Sequence, residues 1–509
     1  MPDHETMDIK TRLMRWYLSP RKKKIERYSD SARQIQEDKL MKFLHRASRT
    51  EWGKKYGFDT IKSYADFAAR VPVCSYDDLQ ESIERMHQGE RDVLWPGRVR
   101  YFAKSSGTTA GRSKFIPVTS EGLRNMHLMG GQDVTFFYLQ QNPNTRIGSG
   151  NSVILSGSFD PQYCNRYSKV GDVSAIMTSR MPGFIRRLGG FLPPWRIAKI
   201  QDFETKRDAI AEYCMHKNVT SFSGVPSWWL SVLTRMLELS GKENVTQVWP
   251  NLEFFAHGGV GFAPYRELYK HAIPSDNMHY IETYNASEGF FGVQNDPADP
   301  AMLLMIDYDV FFEFLPLSGS KRSPVPLWEV ETGRNYAMLI TTSCGLWRYE
   351  IGDTVRFTSK DPYKFLISGR IRQFINAFGE ELIVENAEKG IAEACRKTGA
   401  KVLDYTAAPV YMDIHGQCRH QWVVEFSQDP SSLEDFAREL DEALRGINSD
   451  YDAKRFKDIV LRPLEVVKAR KNLFNDWMKS RGKLGGQHKV PRLANSREYI
   501  DDLLEMNIA

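Results

Sequence analysis

The sequence predicts an α/β protein: a large N-terminal α/β domain, residues 1–368, followed by a smaller C-terminal α+β domain, residues 369–509. Three observations carry that reading. Between residues 100 and 368 short apolar runs alternate with stretches of helical periodicity, as strands and helices do in turn. After Gly369-Arg370 the pattern changes to helix, hairpin, helix. The length, 509 residues, is about three times the ~150 of a typical single domain, which suits one large body and one small.

Taken in order, residues 1–100 are rich in Arg, Lys, Glu and spaced apolar side chains, so the opening reads as helical, with Ser75-Tyr-Asp-Asp-Leu79 as a helix start. Ser152-Val-Ile-Leu155, Leu252-Glu-Phe-Phe-Ala256 and Tyr336-Ala-Met-Leu-Ile-Thr-Thr342 read as strands, and 206–217 and 228–239 as helices. In the small domain, 384–398 and 431–447 read as helices. Between them Val410-Tyr-Met-Asp-Ile414 and Gln421-Trp-Val-Val-Glu-Phe426 read as hairpin arms around the polar turn 415–420.

Composition narrows the function classes. Hydrophobic residues are 41% and charged residues 26%, the usage of an ordinary globular protein. A net charge of +5 over this length gives no argument for nucleic acid or for an anionic membrane. The cluster Arg21 to Lys24 with Arg27 reads as a solvated helix face. The cysteines Cys74, Cys164, Cys214, Cys344, Cys395 and Cys418 form no C-x-x-C pair, so free thiols and a reducing, cytoplasmic setting are expected. The longest apolar run, 301–306, is far short of the ~20 residues that span a bilayer.

Three segments carry chemistry. Ser105-Ser-Gly-Thr-Thr-Ala-Gly-Arg-Ser-Lys114 follows the strand-like Val99-Arg-Tyr-Phe-Ala103 and combines Gly107 and Gly111 with the hydroxyls of Ser105, Ser106, Thr108 and Thr109 and the charge of Lys114. That inventory suits a polyphosphate, and it equally suits a polar surface loop. It is not a P-loop, because Arg112 stands where G-x-x-x-x-G-K requires lysine. Glu282-Thr-Tyr-Asn-Ala-Ser-Glu-Gly289 has the composition of a strand-end site, with Tyr284 able to face an adenine and Glu288 a hard oxygen ligand for Mg2+. Gly352-Asp353 reads as a turn between strands, where a carboxylate can bind ribose hydroxyls.

In this order the three segments resemble the signature of the acyl-adenylate-forming superfamily, and within it the Gretchen Hagen family of acyl-acid amido synthetases. The resemblance rests on Ser105 to Pro117, on Tyr284, Ser287 and Glu288, on Tyr349, Gly352 and Asp353, and on Gln487-His-Lys-Val-Pro-Arg492, similar to the family's C-terminal Lys-x-Pro-Arg. It spans residues 100–492.

The resemblance implies an α/β fold of the acyl-adenylate-forming type, a ligase that adenylates a carboxylic acid with ATP, and transfer of the acyl group to an amine, expected to be an amino acid. It implies ATP and Mg2+ as cofactors, with no nucleic-acid or membrane partner. By the same resemblance Ser105, Ser106, Thr108 and Thr109 bind the ATP phosphates, and Thr283, Tyr284, Asn285, Ala286 and Ser287 bind adenine and α-phosphate. Glu288 binds the metal, Asp353 the ribose, and Lys489 reaches the phosphates from the small domain, so Lys489 and Glu288 are the expected catalytic groups. Gly369-Arg370 fits a hinge between the domains. Met126 and Met129, on a helix expected over 121–139, and Val225 and Gly259 are the candidates for the acyl site. Arg112-Ser113 and His488 depart from the plant members' pattern and argue against a plant hormone as substrate.

Two other readings stay open at this stage. An acid–thiol ligase would pass the same adenylate to coenzyme A, and a catalytically silent member would only bind nucleotide. His415, Cys418 and His420 lie within six positions, but their spacing matches no standard zinc pattern and a hairpin turn is the expectation.

Overall fold

The computed structural model describes residues 8–508 except 110–111, 260–261, 263–264, 318–322, 371–373, 381, 412–417, 456–460 and 481–489. Two compact units divide it: 1–105 with 113–371, and 106–112 with 372–509.

The N-terminal stretch is helical as expected, with helices Ile9–Leu18, Pro20–Ala47, Glu51–Lys55, Tyr64–Arg70 and Tyr76–His87. Ser75 starts the last through a capping box, its backbone N–H donating to Asp78 Oδ2 at 2.7 Å. The basic cluster divides in two. Lys22, Lys23, Lys24 and Arg27 are solvated. Arg21 instead is 8% exposed, with Nε 2.8–2.9 Å from both Asp133 carboxylate oxygens and further bonds to Asp307 and Tyr28. It therefore fastens the long helix Pro20–Ala47 to the body of the unit.

The strands follow in chain order: β1 (Tyr101–Thr109), β2 (Arg112–Val118), β3 (Asn151–Ile154), β4 (Lys169–Gly171), β5 (Phe191–Leu192), β6 (Val219–Gly224), β7 (Phe254–Gly258) and β8 (His279–Ala286). They continue with β9 (Gly289–Val293), β10 (Met302–Leu304), β11 (Val310–Pro316), β12 (Val325–Pro326), β13 (Asn335–Thr342), β14 (Tyr349–Lys360) and β15 (Tyr363–Arg370). A small sheet runs β2-β1-β4, and a twelve-stranded sheet runs β12-β11-β13-β14-β15-β10-β9-β8-β7-β6-β3-β5. In the large sheet β5, β3, β6, β7 and β8 are mutually parallel, with helices such as Phe203–Cys214 and Pro226–Ser240 in the crossovers. The remainder is antiparallel; β9, β10, β11 and β13 are nearly all buried, β14 only in part, and β11 and β13 contribute Phe311, Phe312, Phe314, Met338 and Ile340 to one core. Gly369 and Arg370 close β15, paired with Thr354 and Asp353.

In the second unit β16 (Phe374–Ile375) pairs with β17 (Leu382–Ile383), and β18 (Lys401–Val410), β19 (Arg419–Gln428) and β20 (Glu465–Lys468) form a sheet with helices Val384–Thr398, Leu433–Ile447 and Glu498–Ile508. The hairpin exists, with 401–410 as its described first arm; of the expected 410–414, residues 412–414 lie outside the described residues. That arm carries five consecutive buried residues, 405–409, with helices Val384–Thr398 and Glu498–Ile508 both packed against it. Its period-two signal is thereby erased. His420 is taken up by Glu380, Nε2 to Oε1 2.8 Å with both side chains fully buried. His415 lies outside the described residues, and no cluster of three metal-ligating side chains occurs among the described ones. All six cysteines are free thiols. No helix among the described residues is long and apolar enough to cross a membrane.

Candidate functional site

The carboxyl ends of the parallel strands bring the second segment beside two of its expected neighbours. Gly224, His257 and Glu282 stand in register on β6, β7 and β8, with Gly258 next to Thr283. Ligands in open α/β sheets bind outside such ends. The approach is close: a Cβ on Gly258 would sit 2.4 Å from the Thr283 carbonyl oxygen, and Thr283 Oγ1 donates to the His257 carbonyl at 3.0 Å. Gly259 turns away at φ +85°, and among the described residues Val225 Cγ2 is the atom near its side-chain position. Val225 and Gly259 are thus neighbours at this edge.

The second segment is strand and hairpin: β8 continues through Ala286, and Ser287 and Glu288 turn it into β9. Glu288 is 7% exposed in that turn. Gly289 is required, since a Cβ there would meet the Phe291 ring at 2.7 Å and Met126 Sδ at 3.4 Å. Met126 is fully buried, Met129 half-buried. Both belong to the helical stretch that begins at Ser120, capped by Thr119, and contains one wide i→i+5 turn over Leu123–Leu128, a departure often found at functional sites.

The third segment corrects the expectation of a turn. Gly352 and Asp353 lie inside β14, where Ile351, Gly352 and Asp353 together oppose Met338 alone. Gly352 at φ +94° supplies the conformation this bulge needs. The bulge aims Asp353, 7% exposed, at Tyr284, whose hydroxyl donates to its Oδ2. The Tyr284 ring packs edge-on against Phe291 at 5.0 Å.

The first segment is also more regular than the loop expected: its backbone is strand through Thr109 and again from Arg112. Ser105 is half-buried on β1. The side chains of Ser106, Thr108 and Thr109, and Lys489 entirely, lie outside the described residues.

Buried titratable groups surround this edge, Glu282 within the second segment and the others outside the three segments. Burial pushes His257 down to about 3, helped by Arg266, and His127 down to about 4. Burial pushes the Glu282 carboxyl up to about 7, Arg266 opposing. Lys206, lowered to about 8 by burial, donates to Ser158 Oγ at 2.7 Å and to the Ser156 and Gly157 carbonyls, holding the turn after β3. What only the packing reveals is their burial and the shifts that follow from it.

Glu282 makes a prediction with a definite sign. Its folded value lies above the unfolded 4.5, so between pH 7 and 4.5 the folded protein takes up this proton first and is stabilised as pH falls. His127 and His257 act with the opposite sign below 6.5. Glu282→Gln should therefore lose stability relative to the parent as pH drops through that window, by up to about 1.4 kcal/mol per pH unit. Urea unfolding at several pH values checks this, and parallel curves for the two proteins would contradict it.

Comparison with known proteins agrees with this architecture. Residues 21–278 match the GH3 family N-terminal domain, 303–370 its central domain and 385–498 its C-terminal domain. An Indole-3-acetic acid-amido synthetase GH3.4 of Arabidopsis thaliana is 25% identical, covering 92% of this chain and 90% of its own. The 4-substituted benzoates-glutamate ligase GH3.12 of the same plant is 23% identical over 94% of this chain and 96% of its own. Among solved structures, an AtGH3.15 acyl acid amido synthetase in complex with 2,4-DB superposes with TM-score 0.61 at 19% identity, covering 95% of each chain. A 2-Hydroxyisobutyryl-CoA Ligase superposes with TM-score 0.57 at 16% identity, covering 94% and 93%. With all three parts matched in order, the chain belongs to the GH3 family.

Proposed function

We infer that this protein is an ATP-dependent acyl-acid amido synthetase: it adenylates a carboxylic acid with release of pyrophosphate, then passes the acyl group to the amine of an amino acid with release of AMP. The observation that carries the reading is the Tyr284 hydroxyl donating to Asp353, which joins two of the segments beside the buried Glu288 in a chain of this family. The curated relatives are named for conjugating indole-3-acetic acid, or benzoates to glutamate, so an aryl or indole acid and an amino acid are the first substrates to try. Those relatives disfavour coenzyme A as acceptor.

A carboxylate is a poor electrophile. Its attack on the ATP α-phosphorus forms the acyl–phosphate bond and expels pyrophosphate. The amine then attacks the acyl carbon, and AMP leaves. Charge builds on the phosphates in the first step, which calls for preorganised donors. We assign that role to Ser105, Ser106, Thr108, Thr109 and Lys489, with Thr283 to Ser287 holding adenine and α-phosphate and Asp353 holding the ribose. Met126, Met129, Val225 and Gly259 would border the acid. Glu288 offers one buried hard oxygen, suited to Mg2+ that takes its remaining ligands from phosphates and water; bound there, the ion would neutralise phosphate charge. The small unit would carry Lys489 as a movable lid hinged near residues 369–370.

Acid-dependent exchange of labelled pyrophosphate into ATP, across indole, aryl and alkyl carboxylates, tests adenylation. An amine panel read by product mass tests transfer. No exchange with any acid, alongside intact ATP binding, would overturn the reading. Lys489→Ala is expected to slow exchange about 100-fold while sparing aminolysis of a preformed acyl-adenylate. Equal loss in both half-reactions would contradict its role.

A further inference from the structure

His127 lies in the wide turn Leu123–Leu128, one residue after Met126, and its side chain is fully buried. Its Nδ1 is 3.1 Å from Asn285 Oδ1, while Nε2 has no partner among the described residues. Together these facts decide the tautomer. A buried N–H with no acceptor is costly, whereas a bare lone pair is tolerated more readily. The proton therefore sits on Nδ1 and is donated to Asn285. Burial keeps the ring neutral at ordinary pH, so this donor is permanent.

The same bond fixes the Asn285 amide. With Oδ1 held by His127, Nδ2 faces the other way, 3.9 Å from Met177 Sδ on the helix Val173–Arg180. Sulfur is a weak acceptor, so that contact alone would not orient the amide. Asn285 stands between Tyr284, bonded to Asp353, and the turn that holds Glu288. The β8–β9 register slips at Tyr284/Asn285, which leaves this stretch of backbone less constrained by its ladder than the rest.

We propose that His127 is a positioning residue for the nucleotide site: its Nδ1–H orients the Asn285 amide and ties the helix bearing Met126 to the strand that bears Tyr284 and leads into the turn holding Glu288. The bond makes one mechanical piece of a candidate acid-site wall and a candidate nucleotide-site wall. The inference rests on the function proposed above for the identity of the ligand.

The test uses His127→Asn, His127→Gln and His127→Leu. Asparagine places an amide N–H about where Nδ1 sits; glutamine places it about where Nε2 sits, and leucine keeps only bulk. In pyrophosphate exchange, KM for ATP is expected to rise roughly 5- to 100-fold in the Leu and Gln variants, the cost of an unmade buried hydrogen bond, with a smaller change in kcat. His127→Asn should recover most of that loss. Calorimetric titration with AMP should give the same ranking without requiring turnover. A purely structural histidine would lower the melting temperature of all three variants without separating Asn from Gln, and that result would overturn the proposal. If the parent binds AMP with this ranking of variants but exchanges with no acid, the function fails and the role of His127 stands. If the parent exchanges normally and the ranking is absent, His127 alone fails. A parent that binds no nucleotide would overturn both.

Discussion

Replacing Asp353 with alanine is expected to cut acid-dependent pyrophosphate exchange by about 100-fold or more. A carboxylate that accepts from two ribose hydroxyls makes two charge-assisted bonds of about 1.5–3 kcal/mol each, and their combined loss is on the order of 10²- to 10⁴-fold. The side chain is 7% exposed and aimed by the bulge at Gly352, and alanine carries no acceptor to replace it. Tyr284→Phe keeps the ring packed on Phe291 and removes only the donor that holds Asp353. It should cost about 10-fold, the scale of one hydrogen bond to a charged group. Pairing Asp353→Ala with 2′,3′-dideoxy-ATP makes the result specific: the variant should no longer distinguish the dideoxy nucleotide from ATP. A variant that still discriminates against it would place the ribose elsewhere.

Arg348→Met should destabilise the large unit by about 3–5 kcal/mol, the cost of leaving a buried charge without its partner. Arg348 and Glu313 are both nearly inaccessible and joined through Nε and Nη2 at 2.7–3.1 Å. The guanidinium also donates to the Ala68 and Val71 carbonyls at 2.9 and 2.7 Å. One side chain thereby pins the end of the helix Tyr64–Arg70, β11 and the turn that enters β14. Lysine cannot reproduce this planar fork. Denaturant titration measures the loss. The double variant Arg348→Met/Glu313→Leu should regain much of it, because replacing both members of a buried pair by apolar side chains is far cheaper than orphaning one. If the single and double variants are equally unstable, the pair is not the source of the effect.

Both predictions concern residues close together in the sequence, yet only one of them was legible there. Gly352-Asp353 stands out in the third segment, and the resemblance to the family picks it out. Arg348, four residues before Gly352, has no pattern of its own; its importance comes from Glu313 and from two carbonyls of a helix some 280 positions away. His127 is similar. A lone histidine on a helix is ordinary in a sequence, and what distinguishes it is burial and what it touches.

The local elements were the most legible. The capping box at Ser75 and the helix over 384–398 needed only neighbouring residues, so the sequence predicted them directly. The stretch 401–409 of the small unit's first hairpin arm was not legible, because five consecutive buried residues remove the alternation that marks a strand. Gly352-Asp353 was expected in a turn because glycine with positive φ serves turns and bulges alike.

By itself the sequence determined the class of fold, the large and small parts, and the inventory of hydroxyls, carboxylates and glycines that marks the family. Only the tertiary structure decided that Tyr284 and Asp353 meet. They lie on β8 and β14, separated in the sheet by β9, β10 and β15. In a flat sheet four such steps would span on the order of 19 Å, far beyond the reach of one side chain. The hydrogen bond between them therefore requires the sheet to curl. Curl is a collective property of twisted strands packed on a common core, and no segment of the chain encodes it alone.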